Sequence, residues 1–197
     1  MFAKNVSDMT RVGSYFIGTC YDGKLVYDKL KDVEYSKAVE IYKNSKKIWS
    51  IRKKYHDSDD SFMENTELSL GRKISVFQES INKEFDEYLV NFDYFEKVMR
   101  DHGFAIDTDF AVEDQEMNAT ESFEVIYKKL YQNGKQSNIT NYEKEISFLN
   151  RCFVFKKIND NVKSYPITDE LDPNENPASF ASVGYPKKTV EIITLQL

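Results

Sequence analysis

The apolar positions of this chain change period several times, and each change marks an element. Residues 2–9 have helical spacing and read as the last turns of a helix whose beginning is absent. Val12–Cys20, VGSYFIGTC, is a near-continuous apolar run rich in β-formers, as expected of a strand buried on both faces. Tyr21-Asp22-Gly23 then reads as a turn, with Asp22 capping a helix at about 24–31. Strand, turn and helix make one step of an α/β fold. The turn lies at the carboxyl end of the strand, where open α/β sheets place ligands.

The middle of the chain has a different rhythm. A short helical piece near 34–44 is expected to lead into a strand at Ile48–Lys54, anchored by Trp49 and Ile51. An acidic loop, His56–Glu67, separates it from a second strand, Lys73–Phe77, where Ile74 and Val76 alternate with polar residues. Two such segments around a loop predict an antiparallel hairpin. Glu87–Val90 reads as a short extended piece running into Asn91, a good helix N-cap, with Asp93 in the first turn. Phe92, Phe95, Val98 and Met99 follow at helical spacing until Gly103 supplies the stop.

Beyond Gly103, the pattern predicts a strand at Phe104–Ala111 and a helix at about 121–132. A polar loop, Gln132–Thr140, precedes a short helix with Tyr142, Ile146 and Leu149 on one face, and a strand at Cys152–Ile158. From Asn159 the composition shifts, and this end holds all four prolines. Residues 1–158 therefore read as one α/β domain and 159–197 as an extended tail, with a closing strand expected at Thr189–Leu195.

The 197 residues fit one domain with a real core. A net charge of −6 argues against wrapping nucleic acid by bulk electrostatics, though not against a local basic groove. Fourteen Phe and thirteen Tyr supply both core and surfaces on which a base can stack. Cys20 and Cys152 each fall in an apolar run and read as buried reduced thiols. No signal-type apolar segment and no membrane-length stretch occurs, so an intracellular setting without membrane contact is expected.

Several motifs dissolve on inspection. Gly18 to Leu25 nearly matches a phosphate-binding loop, but Leu25 has no hydroxyl for magnesium and Gly18 falls inside the strand. Asp57-Ser-Asp59-Asp60-Ser61 begins like a calcium loop, yet Phe62 stands where glycine is needed and Leu68 where glutamate is needed. His56 and His102 lack partners at metal-ligand spacing, so no metal is expected. His102 near a helix end reads as a dipole partner. The seven glycines never form G-x-G, and no glycine-rich turn for a nucleotide-type cofactor is evident.

Four segments, in this order, resemble the carboxyl-terminal half of mRNA cap guanine-N7 methyltransferases, particularly those of large DNA virus capping enzymes. They are Val12–Asp22 (VGSYFIGTCYD), Glu87–Val90 (EYLV), the helix ending Arg100–Phe104 (RDHGF), and Glu145–Phe155 (EISFLNRCFVF). The resemblance spans about 12–158. It implies the later half of a class I, S-adenosylmethionine-dependent methyltransferase sheet, with an antiparallel last strand and an inserted hairpin. The strand at 12–20 would be the fifth, and those at 104–111 and 152–158 the last two. It implies capped RNA as substrate and, if viral, the host cytoplasm or virus factory as setting.

By the same resemblance, Glu87 matches the glutamate that contacts the cap guanine. Asn150 stands where the family has a cap-facing tyrosine, and Phe148 could offer an aromatic surface instead. Tyr21 stands where the family often has proline. The first half, with the cofactor loop, has no counterpart here. The chain is thus expected to be inactive alone, needing a separate amino-terminal half, or else to be a non-catalytic binding or structural remnant. The chemistry suits Glu87, since guanine offers its N1–H and amino group on one edge and a carboxylate accepts both. Methylation at N7 builds positive charge that would tighten those bonds, and no general base is needed.

Overall fold

The computed structural model describes residues 2–56, 61–110, 118–131 and 137–160. Helix α1 (Phe2–Met9) precedes β1 (Tyr15–Tyr21) and α2 (Gly23–Leu30). Four strands follow: β2 (Ala38–Lys43), β3 (Lys46–Lys53), β4 (Lys73–Gln78) and β5 (Lys83–Tyr88). Next come α3 (Phe92–Asp101), β6 (Phe104–Ile106), β7 (Thr120–Ser122), α4 (Phe123–Tyr131), α5 (Asn141–Ser147) and β8 (Asn150–Lys157). The fold is mixed α/β, and every strand pairing among the described residues is antiparallel.

The strands form two sheets. In the first, β8 is central, with β1 along one edge and both β6 and β7 along the other. The β1–β8 ladder runs from Tyr15 opposite Lys156 to Tyr21 opposite Asn150. The second sheet is a meander in the order β2-β3-β4-β5. Here the hairpin expected from the sequence is extended at both ends. Residues 38–43 form a strand instead of a helix, because Ala38-Val-Glu-Ile alternates and places Val39 and Ile41 against the core. Asn44 and Ser45, both at positive φ, make the tight turn between Lys43 and Lys46.

Other expectations shift by smaller amounts. The extended piece before α3 begins at Lys83 rather than Glu87. The strand after Gly103 ends at Ile106, and a short β7 precedes α4. β1 is not buried on both faces, since Tyr15 and Ile17 are exposed while Cys20 and Tyr21 are buried. The β1 run is apolar throughout, so pattern alone could not show that one face is partly open. The expected strand at Thr189–Leu195, with the tail beyond residue 160, lies outside the described residues, as do Asp57–Asp60 of the calcium-like loop.

Helix starts follow local chemistry. The Asp22 carboxylate accepts from the Lys24 and Leu25 amides, and Asn91 Oδ1 accepts from the Tyr94 amide. Thr140 and Glu143 form a reciprocal capping box on α5. Gly103 ends α3 at φ +86°, and a Cβ there would meet the Asn159 carbonyl oxygen. Two buried lysines close helix ends from the far side. Lys53 Nζ donates to the Leu30 carbonyl of α2 at 3.0 Å, and Lys157 Nζ donates to the carbonyls of Ser7 and Thr10, at 2.7 and 2.8 Å. Cations suit these positions because the orphan carbonyls carry the negative end of the helix dipole.

The core has two parts. One lies under the meander and gathers Trp49, Ile51, Ile74 and Val76 with Val26 and Leu30 of α2. The other lies between the first sheet and α1 and α3, and is dominated by Phe92, Phe104, Phe153 and Phe155. Cys20 belongs to the second and Tyr21 to the first, because successive strand residues face opposite ways. The carboxyl end of β1 is therefore the seam between them.

Candidate functional site

Cross-strand register decides which side chains of the meander face that seam. Ile74, Val76 and Gln78 lie on one face of β4, opposite Glu87, Phe85 and Lys83 of β5. The β3 partners of Val76 and Gln78 are Ile51 and Trp49. Directly opposed residues share a face, so Glu87, Phe85 and Gln78 all stand on the core-facing side. Ile74 and Val76 are closed off from solvent there, whereas Phe85 at the edge is 40% exposed. The opposite face carries Arg52, Lys54, Ser75, Glu84 and Asp86. Lys54 pairs with Asp86 at 2.6 Å and Arg52 with Glu84 at 3.4 Å. These are half-exposed pairs and contribute little stability.

Glu87 is the exception among these acids. Its carboxylate is half-buried and has no hydrogen-bond or ion-pair partner among the described residues. Burial alone pushes it up to about 7 from its ordinary 4.5. By contrast, Asp86, one residue away on the solvent face, is held down to about 2 by hydrogen bonds from Lys54 and Ser75. The two neighbouring carboxyl groups thus diverge because of the strand's alternation.

Tyr21 closes the other side of the seam. It is buried, and the Gln78 amide Nε2 donates to its phenol oxygen at 3.1 Å. Burial, then the nearby Glu87 charge, raise the phenol to about 12. Its own O–H finds no acceptor among the described residues. Asn150 is the direct partner of Tyr21 in the β1–β8 ladder. Its side-chain amide donates to the carbonyls of Ile146 and Ser147, at 3.1 and 3.2 Å, and so closes the end of α5. Phe148 caps the same helix, and its ring packs on Tyr127 with centroids 5.4 Å apart. The structure therefore brings Tyr21, Glu87 and Asn150 to one seam, while the contacts of Phe148 lie with α4.

Gln78 and Phe85 were not singled out from the sequence, yet they complete this face. Their signal was the alternation itself: Gln78 continues the Ile74, Val76 row, and Phe85 precedes Glu87 by two. Nearby, the near-match to a phosphate loop is used otherwise. Gly18 lies within β1, and Lys24 is paired with Asp93 at 2.7 Å.

The β1–α2 turn is tightly closed. The Gly23 amide donates to the Val90 carbonyl, and a Cβ at Gly23 would meet that oxygen at 2.4 Å. Asp22 is further held by Arg151 at 3.1 Å. Among the described residues, no group of three or more His, Cys, Asp or Glu is placed to hold a metal, and no helix is long and apolar enough to cross a membrane. No family model and no curated protein matches the chain.

Proposed function

We propose that the chain recognises the guanine of a 5′ RNA cap through Glu87, as the cap-reading part of an mRNA guanine-N7 methyltransferase. The observation that carries this reading is the Glu87 carboxylate, half-buried and without a partner among the described residues. A carboxylate drawn partly out of water, with no protein donor, favours a ligand that brings donors of its own. Guanine brings two on one edge, in the geometry that a carboxylate accepts. Phe85, exposed two residues away on the same face, offers a stacking surface. The antiparallel β8, placed between β1 and β6, agrees with a class I methyltransferase sheet having an antiparallel last strand.

The residues of this chain do not fit S-adenosylmethionine. The seven glycines never form the G-x-G turn that such a cofactor needs, and β1, matched to the fifth strand of the resembled sheet, is not where that turn would lie. Methyl transfer is therefore assigned to an assembly with a separate cofactor-binding half, and guanine recognition to this chain. The missing G-x-G turn favours, as a second reading, a binding protein without catalysis. Titrating the full chain with the cap dinucleotide GpppA, as wild type and as Glu87→Gln, tests recognition. A loss of tenfold or more in affinity is expected from the substitution, and equal affinities would refute it.

A further inference from the structure

Hydrogen-bond direction at the seam leaves two complementary groups unanswered. The Gln78 amide donates to the Tyr21 oxygen, which turns the phenol's own proton away from Gln78. That proton has no acceptor among the described residues, and Glu87 close by has no donor. The two do not satisfy one another, since no hydrogen bond joins them. A ligand edge that fits must place an acceptor at Tyr21 and donors at Glu87. The Watson–Crick edge of guanine has this order: the 6-oxo group, then N1–H and the 2-amino group. Adenine reverses the first position, offering an amino donor to a phenol that Gln78 has already oriented to donate.

We propose that Tyr21, oriented by Gln78, donates to the guanine 6-oxo group while Glu87 accepts from N1–H and the 2-amino group, so that all three positions of the edge are read. This rests on guanine recognition by Glu87 and adds to it the residues that read the 6-position. Gln78 is a positioning residue, acting through Tyr21. The discrimination is sharp for a physical reason: a site built to donate to an oxygen leaves a buried O–H unpaired when the oxygen is missing.

The test separates the two positions with two analogues of GpppA. Inosine in place of guanine removes only the 2-amino group and reports on Glu87. 6-Thioguanine keeps both donors and replaces the 6-oxo group with a weak acceptor, and so reports on Tyr21. The wild-type full chain should prefer the guanine form over each analogue by roughly tenfold, the scale of one well-placed hydrogen bond. Tyr21→Phe, which preserves the ring, should bring the guanine to 6-thioguanine ratio close to one and leave the guanine to inosine ratio intact. Gln78→Met should reduce the same first ratio part of the way. Survival of the 6-thioguanine preference in Tyr21→Phe, or its absence in the wild type, overturns the proposal while recognition by Glu87 stands. Equal binding of guanine and inosine forms by the wild type, or no binding of either, overturns both.

Discussion

Glu87 stands directly across the β4–β5 ladder from Ile74, a residue with no exposed surface. A carboxyl group is thus placed beside a closed apolar row, and its acidity changes accordingly. With a folded value of about 7 against an ordinary 4.5, the folded state holds the Glu87 proton more tightly than the unfolded chain does. For an acid shifted upward, this stabilisation is present at low pH and is lost as pH rises towards 7. Wild type should therefore lose stability between about pH 4.5 and 7 from this group, and Glu87→Gln should remove that component. Urea melts of both proteins at pH 5 and pH 8 measure it. A difference between them that is no larger at pH 8 than at pH 5 would contradict the assignment.

The same group makes ligand binding depend on pH in the opposite sense. Guanine donors require the ionised carboxylate, so cap affinity should rise from pH 6 to pH 8 and level off above. Wild-type titrations with GpppA at four pH values follow the rise. In Glu87→Gln, the remaining binding should be flat across that range.

Lys157 holds α1 onto the first sheet through two carbonyls, and its side chain is buried. Lys157→Met keeps the stem and removes the donors, leaving orphan carbonyls at the helix end. A loss of about 2–4 kcal/mol is expected, the range for leaving buried polar groups unpaired. Lys4→Ala, which breaks only an exposed pair with Asp8, should change stability by less than about 1 kcal/mol. Equilibrium denaturation of the two variants provides the comparison.

Gly23→Ala tests whether the seam depends on close backbone approach. The added methyl would meet the Val90 carbonyl, which is backbone and cannot swing aside. A destabilisation of about 1–3 kcal/mol is expected, as for overpacking elsewhere. Cap affinity should also fall, because the wedge parts Tyr21 from the β5 exit. A thermal melt reads the first effect, and titration calorimetry on the folded variant below its melting transition reads the second.

The two cysteines point to opposite faces of the first sheet, because Cys152 pairs with Thr19 and Cys20 with Arg151. They cannot form a disulfide with each other in the native ladder. Burial also pushes the Cys20 thiol up to about 12, whereas Cys152 is only half-buried. Alkylation at pH 8 should modify Cys152 first and leave Cys20 protected until urea is added. Peptide mass mapping distinguishes the sites.

Much of the site was legible because its parts rest on local rules. Asn91 and Asp22 were readable as caps, since short polar side chains before an apolar helical run have few other uses. The strand at Cys152–Ile158 was readable, but not its position at the centre of a sheet, which depends on pairing across more than a hundred residues. Residues 34–44 were misread because a short alternating segment of mixed composition matches helix and strand templates alike, and only packing of Val39 and Ile41 decides. The burial of Lys53 and Lys157 was not legible in the sequence. Their burial follows from helix ends that arrive from elsewhere in the chain, and no neighbouring residue signals it. Gln78 was missed for a similar reason: its partner, Tyr21, is distant in sequence.

The central position of β8 has a consequence for how the molecule is made. The meander joins strands adjacent in sequence and needs nothing beyond Tyr88 to complete its ladders. Among the described residues, the other sheet has no ladder until β8 exists, since β1, β6 and β7 each pair with β8 and not with one another. During synthesis on the ribosome, β1 must therefore wait as an unpaired apolar segment until almost every described residue has emerged. Ile17, exposed even in the folded sheet, adds to the apolar surface left open during that interval.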